Sequence, residues 1–231
     1  MTKTADNKLI SEMFAAGAHF GYSRSRRHPS FKPFIFGAKS GVEILDLEKT
    51  SVELEKAKEF IKSIAKTGKK ILFVGTKNEA KQVVENAAVS IDMPYVTERW
   101  VGGVLTNFPE IKKRISRLED LRSKRENGEL IMYTKKERLL IDKDIERLER
   151  NFSGLVSMKD LPVAMFVIDP KKESIAVKEA LYLGIPVVAL AGSDCNLKEV
   201  DYAIPGNDSS VTSIAFFAGQ ITQAFKDGRA I

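Results

Sequence analysis

Two segments between Val104 and Phe152 repeat apolar residues at helical spacing within highly charged sequence. In the first, Ile111, Ile115 and Leu118 follow one another at intervals of four and three. In the second, the apolar residues on one helical face are Ile141, Ile145, Leu148 and Phe152. A stripe this narrow is typical of two helices that pack on each other. The pattern predicts an antiparallel helical hairpin with arms of about 20 residues, or ~30 Å, that projects from a globular body.

Start and stop signals flank both predicted helices. Asn107 with Glu110, and Thr134 with Glu137, each fit a reciprocal capping arrangement. Between the helices, Asn127-Gly128 supplies a stop and a turn. The charges on this hairpin are interleaved in sign. They fit either a solvated coiled coil with internal ion pairs or an arm that grips a polyanion or another protein.

The remainder of the chain alternates short apolar runs with amphipathic segments. The runs that predict strands are the pair within FIFGAKSGVEILDL, followed by KKILFVG, PYVTE, VAMFVI, PVVAL and YAIPG. The segments that predict helices are 8–18, 50–65, 76–90, 169–183 and a closing helix that ends at Gly228. This alternation predicts an α/β fold with a parallel, doubly wound sheet. We expect a discontinuous α/β domain (1–103 and 153–231) with the hairpin (104–152) inserted into it.

Residues 22–34, YSRSRRHPSFKPF, form a basic segment without an acidic residue. Its positive side chains are Arg24, Arg26, Arg27 and Lys32, joined by His28 and three aromatic residues. Pro29 and Pro33 disfavour a regular helix, so we expect an irregular loop. Guanidinium groups pair with phosphates, and rings stack on unpaired bases, so the loop predicts an RNA contact. The alternative is a basic loop that only meets solvent.

Composition agrees with a nucleic-acid partner. The chain has 231 residues, a formal net charge of +6 and one cysteine, Cys195. One cysteine excludes an internal disulfide, and the polar start, MTKTADNKL, does not resemble a secretory signal. No apolar run is long enough to cross a bilayer. We therefore expect a soluble intracellular protein.

Residues suited to catalysis or metal binding are sparse. Gly75-Thr76-Lys77 precedes a predicted helix, but it matches no known phosphate-binding loop, and Thr76 with Glu79 fits a helix cap as well. Asp169 and Asp208 stand where N-caps are expected, and Asp194 and Asp201 lie in neighbouring loops. A nucleotide- or phosphate-binding enzyme that uses Thr76, Lys77 and these acids remains an alternative.

The histidines and the cysteine add no catalytic pattern. His19 and His28 do not lie at metal-ligand spacing from each other or from Cys195. We expect His19 to be packed and hydrogen-bonded, His28 to contact RNA or solvent, and Cys195 to be half-buried. The sequence thus predicts no enzyme, no cofactor and no metal. A coiled-coil adaptor that binds only protein is the third possibility.

Several segments together resemble one known family. They are GAHFG (17–21), KPFIFGAKSGVEILDLEKT (32–50), KILFVGTK (70–77), RWVGGVLTN (99–107), YTKKE (133–137), LPVAMFVIDPKKESIAVKEALYLGIPVVAL (161–190) and VDYAIPGNDSSV (200–211). The chain resembles, over nearly its whole length and in the same order, the bacterial form of ribosomal protein two of the small subunit, the universal S2 family.

The resemblance implies a Rossmann-like or flavodoxin-like domain, with helices on both faces of a parallel sheet and an inserted antiparallel coiled-coil hairpin. It also implies a cytoplasmic, structural component of the small (30S) ribosomal subunit that binds 16S ribosomal RNA and serves translation. The implied neighbours are ribosomal protein one, met through the N-terminal helix, and ribosomal proteins three, five and eight.

Family positions that contact RNA can be transferred residue by residue. They correspond to Arg24, Arg26, Arg27, His28, Lys32, Lys39, Arg99, Trp100, Lys112, Lys113 and Arg114. One departure is Tyr22, which stands where members commonly have a second histidine after HFG, so a histidine pair is not expected there.

Overall fold

Five short apolar strands pair in parallel at the centre of the computed structural model, which describes residues 2–229 and the side chains of residues 7–229. The strands of the chain are β1 (Phe20–Ser23), β2 (Ile35–Lys39), β3 (Val42–Leu45), β4 (Ile71–Val74), β5 (Tyr95–Val96), β6 (Ala164–Ile168), β7 (Val187–Ala191) and β8 (Tyr202–Pro205). The helices are α1 (Thr2–Ala15), α2 (Leu47–Ala65), α3 (Asn78–Val89), α4 (Phe108–Glu126), α5 (Lys135–Phe152), α6 (Ser174–Tyr182) and α7 (Val211–Arg229). The parallel sheet has the order β5-β4-β6-β7-β8, which confirms the predicted α/β class.

Every central strand is buried on both faces, as its uninterrupted apolar run predicts. In β4, Ile71 and Phe73 point into one hydrophobic cluster, while Leu72 and Val74 point into the other. The first cluster is covered by α2, α3 and α7, and the second by α6 and the parts of α4 and α5 next to the sheet. The sheet therefore has helices on both faces.

A second, antiparallel sheet of three strands has the order β1-β3-β2. The predicted strand pair is confirmed as β2 and β3, joined by Ser40 and Gly41, which both have positive φ. Strand β1 was not predicted, because its four residues show no apolar alternation and the last two belong to the basic segment. The basic segment is also more regular than expected, since Pro29–Phe34 forms a 3₁₀ helix.

Several helices begin at residues other than those predicted. Helix α2 begins at Leu47 and not at Thr50, because the Asp46 carboxylate caps it by accepting hydrogen bonds from the N–H groups of Glu48 and Lys49. Lys77, not Thr76, occupies the N-cap position of α3 and makes no side-chain cap. The helix predicted to begin at Asp169 starts instead at Ser174, after a turn.

The two predicted capping boxes of the charged insertion have different outcomes. Thr134 and Glu137 form the reciprocal pair at the start of α5, which confirms that prediction. Asn107 stands at the N-cap of α4 but makes no side-chain cap hydrogen bond, so the box with Glu110 was wrong. The N–H groups of Leu105 and Thr106, just before α4, donate to Glu179.

Helices α4 and α5 pack on each other. Ile111, Ile115 and Leu118 of α4 share a buried cluster with apolar residues of α5, which are Ile145, Leu148 and Phe152. The cluster continues to the sheet through Leu155 and Met158. The predicted apolar stripes thus face each other. That the pair forms a protruding coiled coil and a separate domain stays a prediction. None of the helices in the described part of the chain has the length and apolar character needed to cross a membrane.

Close backbone contact at Gly154 gives a test of the packing between the end of α5 and β5. A Cβ atom at Gly154 would overlap the carbonyl oxygen and ring of Tyr95, whereas a Cβ atom at Gly219 in α7 would meet nothing within 4 Å. We expect Gly154→Ala to lower the free energy of unfolding by about 1–3 kcal/mol through overpacking. Gly219→Ala should raise it by about 0.5–1 kcal/mol, since alanine favours a helix interior. Urea denaturation of both variants measures the difference, and equal shifts would contradict the packing described.

Candidate nucleic-acid interface

The small sheet lies over the carboxyl end of the parallel sheet. The N–H group of Tyr22 donates to Ser193 Oγ at 2.8 Å, and the N–H group of His28 donates to the Ser193 carbonyl at 2.9 Å. Ser193 lies two residues after the end of β7. In a parallel α/β sheet this edge is the one where ligands bind. The basic segment is therefore located at the carboxyl end of the parallel sheet.

Strand pairing brings Arg24, Arg26 and Lys39 to one end of the small sheet. Ser23 of β1 and Lys39 of β2 both pair with Val42 of β3, so they flank the same residue. With strands about 4.8 Å apart, the ends of β1 and β2 are separated by roughly 10 Å. The side chains of Arg24, Arg26 and Lys39 are exposed, as is that of Lys32 in the 3₁₀ helix. We call these four residues the basic rim.

Arg27 and His28 have internal partners. The Arg27 guanidinium lies 2.8 Å from Glu43, a carboxylate that is only 2% exposed. His28 Nδ1 accepts a hydrogen bond from the N–H group of Ser30 and so begins the 3₁₀ helix. Both residues stabilise the segment that carries the basic rim.

The segment after β5 exposes Arg99 and buries Trp100. Arg99 is exposed just beyond the carboxyl end of β5, whereas Trp100 is only 7% exposed. The indole N–H of Trp100 donates to Glu179 at 3.0 Å. Trp100 therefore anchors the segment that presents Arg99, and its ring offers little surface to a ligand.

Lys112, Lys113 and Arg114 lie together on the exposed surface of α4. The Lys113 ammonium is 2.6 Å from Glu110, and that of Lys112 lies 5.1 Å from the centre of the Phe108 ring and 3.7 Å from Asp160. Ion pairs also join the two helices, between Arg117 and Asp144 and between Arg122 and Glu149. This surface combines internal ion pairs with exposed positive charge, so it has features of both sequence interpretations.

A buried ion cluster at the carboxyl end of the sheet was not predicted. Lys77 follows β4, Asp169 follows β6 and Asp208 follows β8. The Lys77 ammonium lies 2.6 Å from Asp169 and 2.7 Å from Asp208. It also donates to the hydroxyl of Tyr22 at 3.3 Å. The available signal was the position of each residue after a strand, because the ends of parallel strands converge on one edge.

The electrostatics of this cluster favour a fixed positive charge. Burial alone would lower the pKa of Lys77, but the carboxylates of Asp208 and Asp169 hold it above its ordinary value. The sequence suggested that Asp208 caps α7. Its carboxylate instead pairs with Lys77 in the cluster. Asp169 has a φ of 60°, and its carboxylate also accepts the N–H group of Lys172. Lys77 thus joins the ends of three strands.

Cys195 is fully buried beside this cluster, not half-buried as expected. Its sulfur lies 3.6 Å from Asp169, and burial together with Asp169 and Asp208 raises the pKa of the thiol. Donor atoms of Asp169, Cys195 and Asp208 lie within 4.8 Å of one another, so among the described residues these three form a group that could hold a metal ion. The Lys77 ammonium between the two carboxylates already supplies the compensating charge.

The remaining groups of the alternative enzyme site also have partners within the chain. The N–H group of Thr76 donates to Glu173 at 3.0 Å, and the Thr76 hydroxyl donates to the same oxygen at 2.5 Å. Asp194 pairs with Lys171, and Asp201 accepts the N–H group of Val187. His19 is packed between Phe14 and Phe20 as expected, but its buried Nδ1 has no hydrogen-bond partner among the described residues.

Internal pairing has a consequence for the surface at this end of the molecule. The carboxylates of Asp169, Asp208 and Glu43 are buried against cations of the chain. The basic rim and Arg99 stay exposed at the same end. The arrangement can therefore attract a polyanion through phosphate contacts.

Comparison with known proteins gives one consistent family. The family model described as "Ribosomal protein S2" matches residues 13–228. The chain is 45% identical over 219 residues to the "Small ribosomal subunit protein uS2" of Bdellovibrio bacteriovorus, covering 95% of this chain and 70% of that protein. Proteins with the same name from Chloroflexus aurantiacus and Chlorobaculum tepidum are each 44% identical, with 95% and 96% of this chain and 92% and 89% of theirs covered.

Removal of the buried ammonium tests the ion cluster. We expect Lys77→Met to lower the free energy of unfolding by about 3–5 kcal/mol, because two buried carboxylates lose their cation. Adding Asp208→Asn should restore part of that loss, since one of the unpaired charges is removed. The control is Lys171→Met, whose pair with Asp194 is partly exposed and should contribute less than about 1 kcal/mol. Equal losses for Lys77→Met and Lys171→Met in urea denaturation would show that the cluster is not a coupled unit.

Proposed function

The chain belongs to the ribosomal protein S2 family, and from this we propose that it is a structural, non-catalytic component of the small ribosomal subunit that binds 16S ribosomal RNA. Binding rests on phosphate contacts and on shape, with little reading of base edges. The α/β body supplies a rigid platform for these contacts. We expect the protein to be located in the cytoplasm, on the small subunit.

The observation that carries the proposal is the exposed basic rim at the carboxyl end of the sheet. Arg24 and Arg26 project from the turn after β1, and Lys39 lies at the adjacent end of β2. The buried carboxylates of Glu43, Asp169 and Asp208 are paired within the protein, so they do not offset this charge at the surface. A polyanion meets a cluster of cations without having to displace an internal partner.

The proposed RNA contacts differ in part from the set that the family resemblance implied. Eight of those residues are exposed, and we assign the contact to them: Arg24, Arg26, Lys32, Lys39, Arg99, Lys112, Lys113 and Arg114. Arg27, His28 and Trp100 are assigned a supporting role, because each is held by a partner inside the protein.

The two charged helices extend the proposed interface. In this proposal α4 and α5 form an antiparallel coiled-coil hairpin (104–152) that protrudes from a body of residues 1–103 and 153–231. Their mutually packed apolar stripes and the ion pairs between them support such an arm. An arm of this kind reaches RNA or protein that the body alone cannot contact.

Neighbouring proteins are proposed from family membership. Helix α1 is the proposed contact for ribosomal protein one, and its support is an exposed apolar surface: Phe14 is 62% exposed and Phe20, beside it across His19, is 48% exposed. Ribosomal proteins three, five and eight are the other proposed neighbours.

Charge removal at the basic rim tests RNA binding. We expect Arg24→Ala/Arg26→Ala/Lys32→Ala to weaken binding to purified 16S ribosomal RNA. The slope of log K against log salt should fall in magnitude by about 2, since each lost phosphate contact removes ~0.7 from it. Arg27 is left in place because its loss would strand Glu43, whose second oxygen already has no partner in the described structure.

A matched variant separates local contact from net charge. Lys66→Ala/Lys69→Ala/Lys226→Ala removes three exposed charges at the amino end of the parallel sheet. There the C-terminal end of α7 contacts the C-terminal end of α2. This variant should keep the wild-type slope. Identical slopes for the two triple variants, or normal assembly of the rim variant into small subunits, would overturn the assignment of the rim as an RNA anchor.

A further inference from the structure

One carboxylate holds the whole segment between β5 and α4. Glu179 lies on α6, more than seventy residues further along the chain. Its Oε1 accepts the indole N–H of Trp100 at 3.0 Å and the N–H group of Gly103 at 2.8 Å. Its Oε2 accepts the N–H group of Leu105 at 3.1 Å, and both the N–H group and the hydroxyl of Thr106, at 3.2 and 3.1 Å. Five donors of one short segment thus converge on Glu179.

The charge of Glu179 is balanced by these donors alone. No lysine or arginine in the described part of the chain lies within ion-pair distance of it. Successive N–H groups that point into a concave turn form an anion site of the kind known as a nest. Burial alone would raise the pKa of Glu179, but the donors from Trp100, Gly103, Thr106 and Leu105 hold it below its ordinary value. The segment is thus folded around an internal anion.

Two parts of the proposed interface begin at this anchored segment. Arg99 is exposed and directly precedes Trp100, so the Trp100 anchor determines where Arg99 is presented. Helix α4 begins at Phe108, two residues after Thr106, so the same contacts determine the direction in which α4 leaves the body. The left-handed conformation of Gly103 (φ 92°) lets the segment turn toward Glu179.

We propose that Glu179 is a positioning residue for RNA binding, whose carboxylate holds residues 99–106 so that Arg99 and the root of α4 face the RNA. This inference rests on the proposed function. Glutamine at this position keeps the size of the side chain but loses its charge. It also turns an amide NH₂ group toward N–H donors, which repels them.

Trp100 reports on this arrangement directly, because it is the only tryptophan of the chain. In Glu179→Gln we expect a red-shifted Trp100 emission and stronger quenching by acrylamide, with the far-UV circular dichroism of the wild type. Affinity for 16S ribosomal RNA should fall on the order of tenfold, equivalent to ~1.4 kcal/mol. The conservative variant Glu179→Asp keeps the charge and should lie between Glu179→Gln and the wild type in both measurements.

The control is Glu59→Gln, which removes an exposed negative charge from α2 and should leave Trp100 emission and RNA affinity unchanged. Thr106→Val is a second, milder variant for the case in which Glu179→Gln does not fold. It removes one donor from the exposed side of the segment, and we expect a smaller change of the same sign in emission and affinity.

The outcomes separate this inference from the proposed function. Wild-type emission in Glu179→Gln, or altered emission with wild-type RNA affinity, would overturn the positioning role alone. If the wild-type chain itself does not bind 16S ribosomal RNA, the proposed function fails and the positioning role fails with it. Parallel changes in emission and affinity, absent from Glu59→Gln, support the inference.

Discussion

The ammonium of Lys77 between Asp169 and Asp208 is the contact on which the carboxyl end of the parallel sheet depends. A parallel sheet covered on both faces leaves the polar residues at its strand ends partly out of water, and unpaired charge there is costly. Lys77 follows β4, and its partners Asp169 and Asp208 follow β6 and β8. One ammonium group therefore compensates buried charge at the ends of three strands. Lys77 also donates a hydrogen bond to the Tyr22 hydroxyl of the small sheet, so the sheet that carries the basic rim contacts the same cluster.

Carboxylates at this end of the sheet face inward and satisfy donors of the chain. Glu173 accepts from Thr76, Asp169 from Lys172, and Glu179 from the segment before α4. Each of these acids would otherwise add negative charge to the surface near the arginines. Pairing of Asp169, Asp208 and Glu173 with groups of the chain keeps their negative charge away from the surface on which the basic rim is exposed.

The outline of the fold was predictable because it depends on local patterns, and the site was less so because it depends on distant contacts. Apolar runs located β4, β6, β7 and β8, and narrow apolar stripes located α4 and α5. Cap positions were less reliable, since Asp46 and Thr50 are equally plausible caps until the helix is seen. The partners of Lys77 lie far away in sequence, and the same is true of Glu179 and Trp100. Long-range pairs of this kind leave no spacing pattern in a single sequence.

The position of α4 and α5 in the chain also affects how the sheet forms. β4 pairs with β6, although α3, β5 and both charged helices intervene. Closing so long a loop costs entropy before the strands gain any contact. The two helices are joined only by residues 127–134, so their mutual contacts are local and close only a short loop. Once they have paired, Phe108 and Phe152 share one cluster, and the path from β5 to β6 is short. Packing of α4 on α5 thereby reduces the entropy cost of joining β5 to β6.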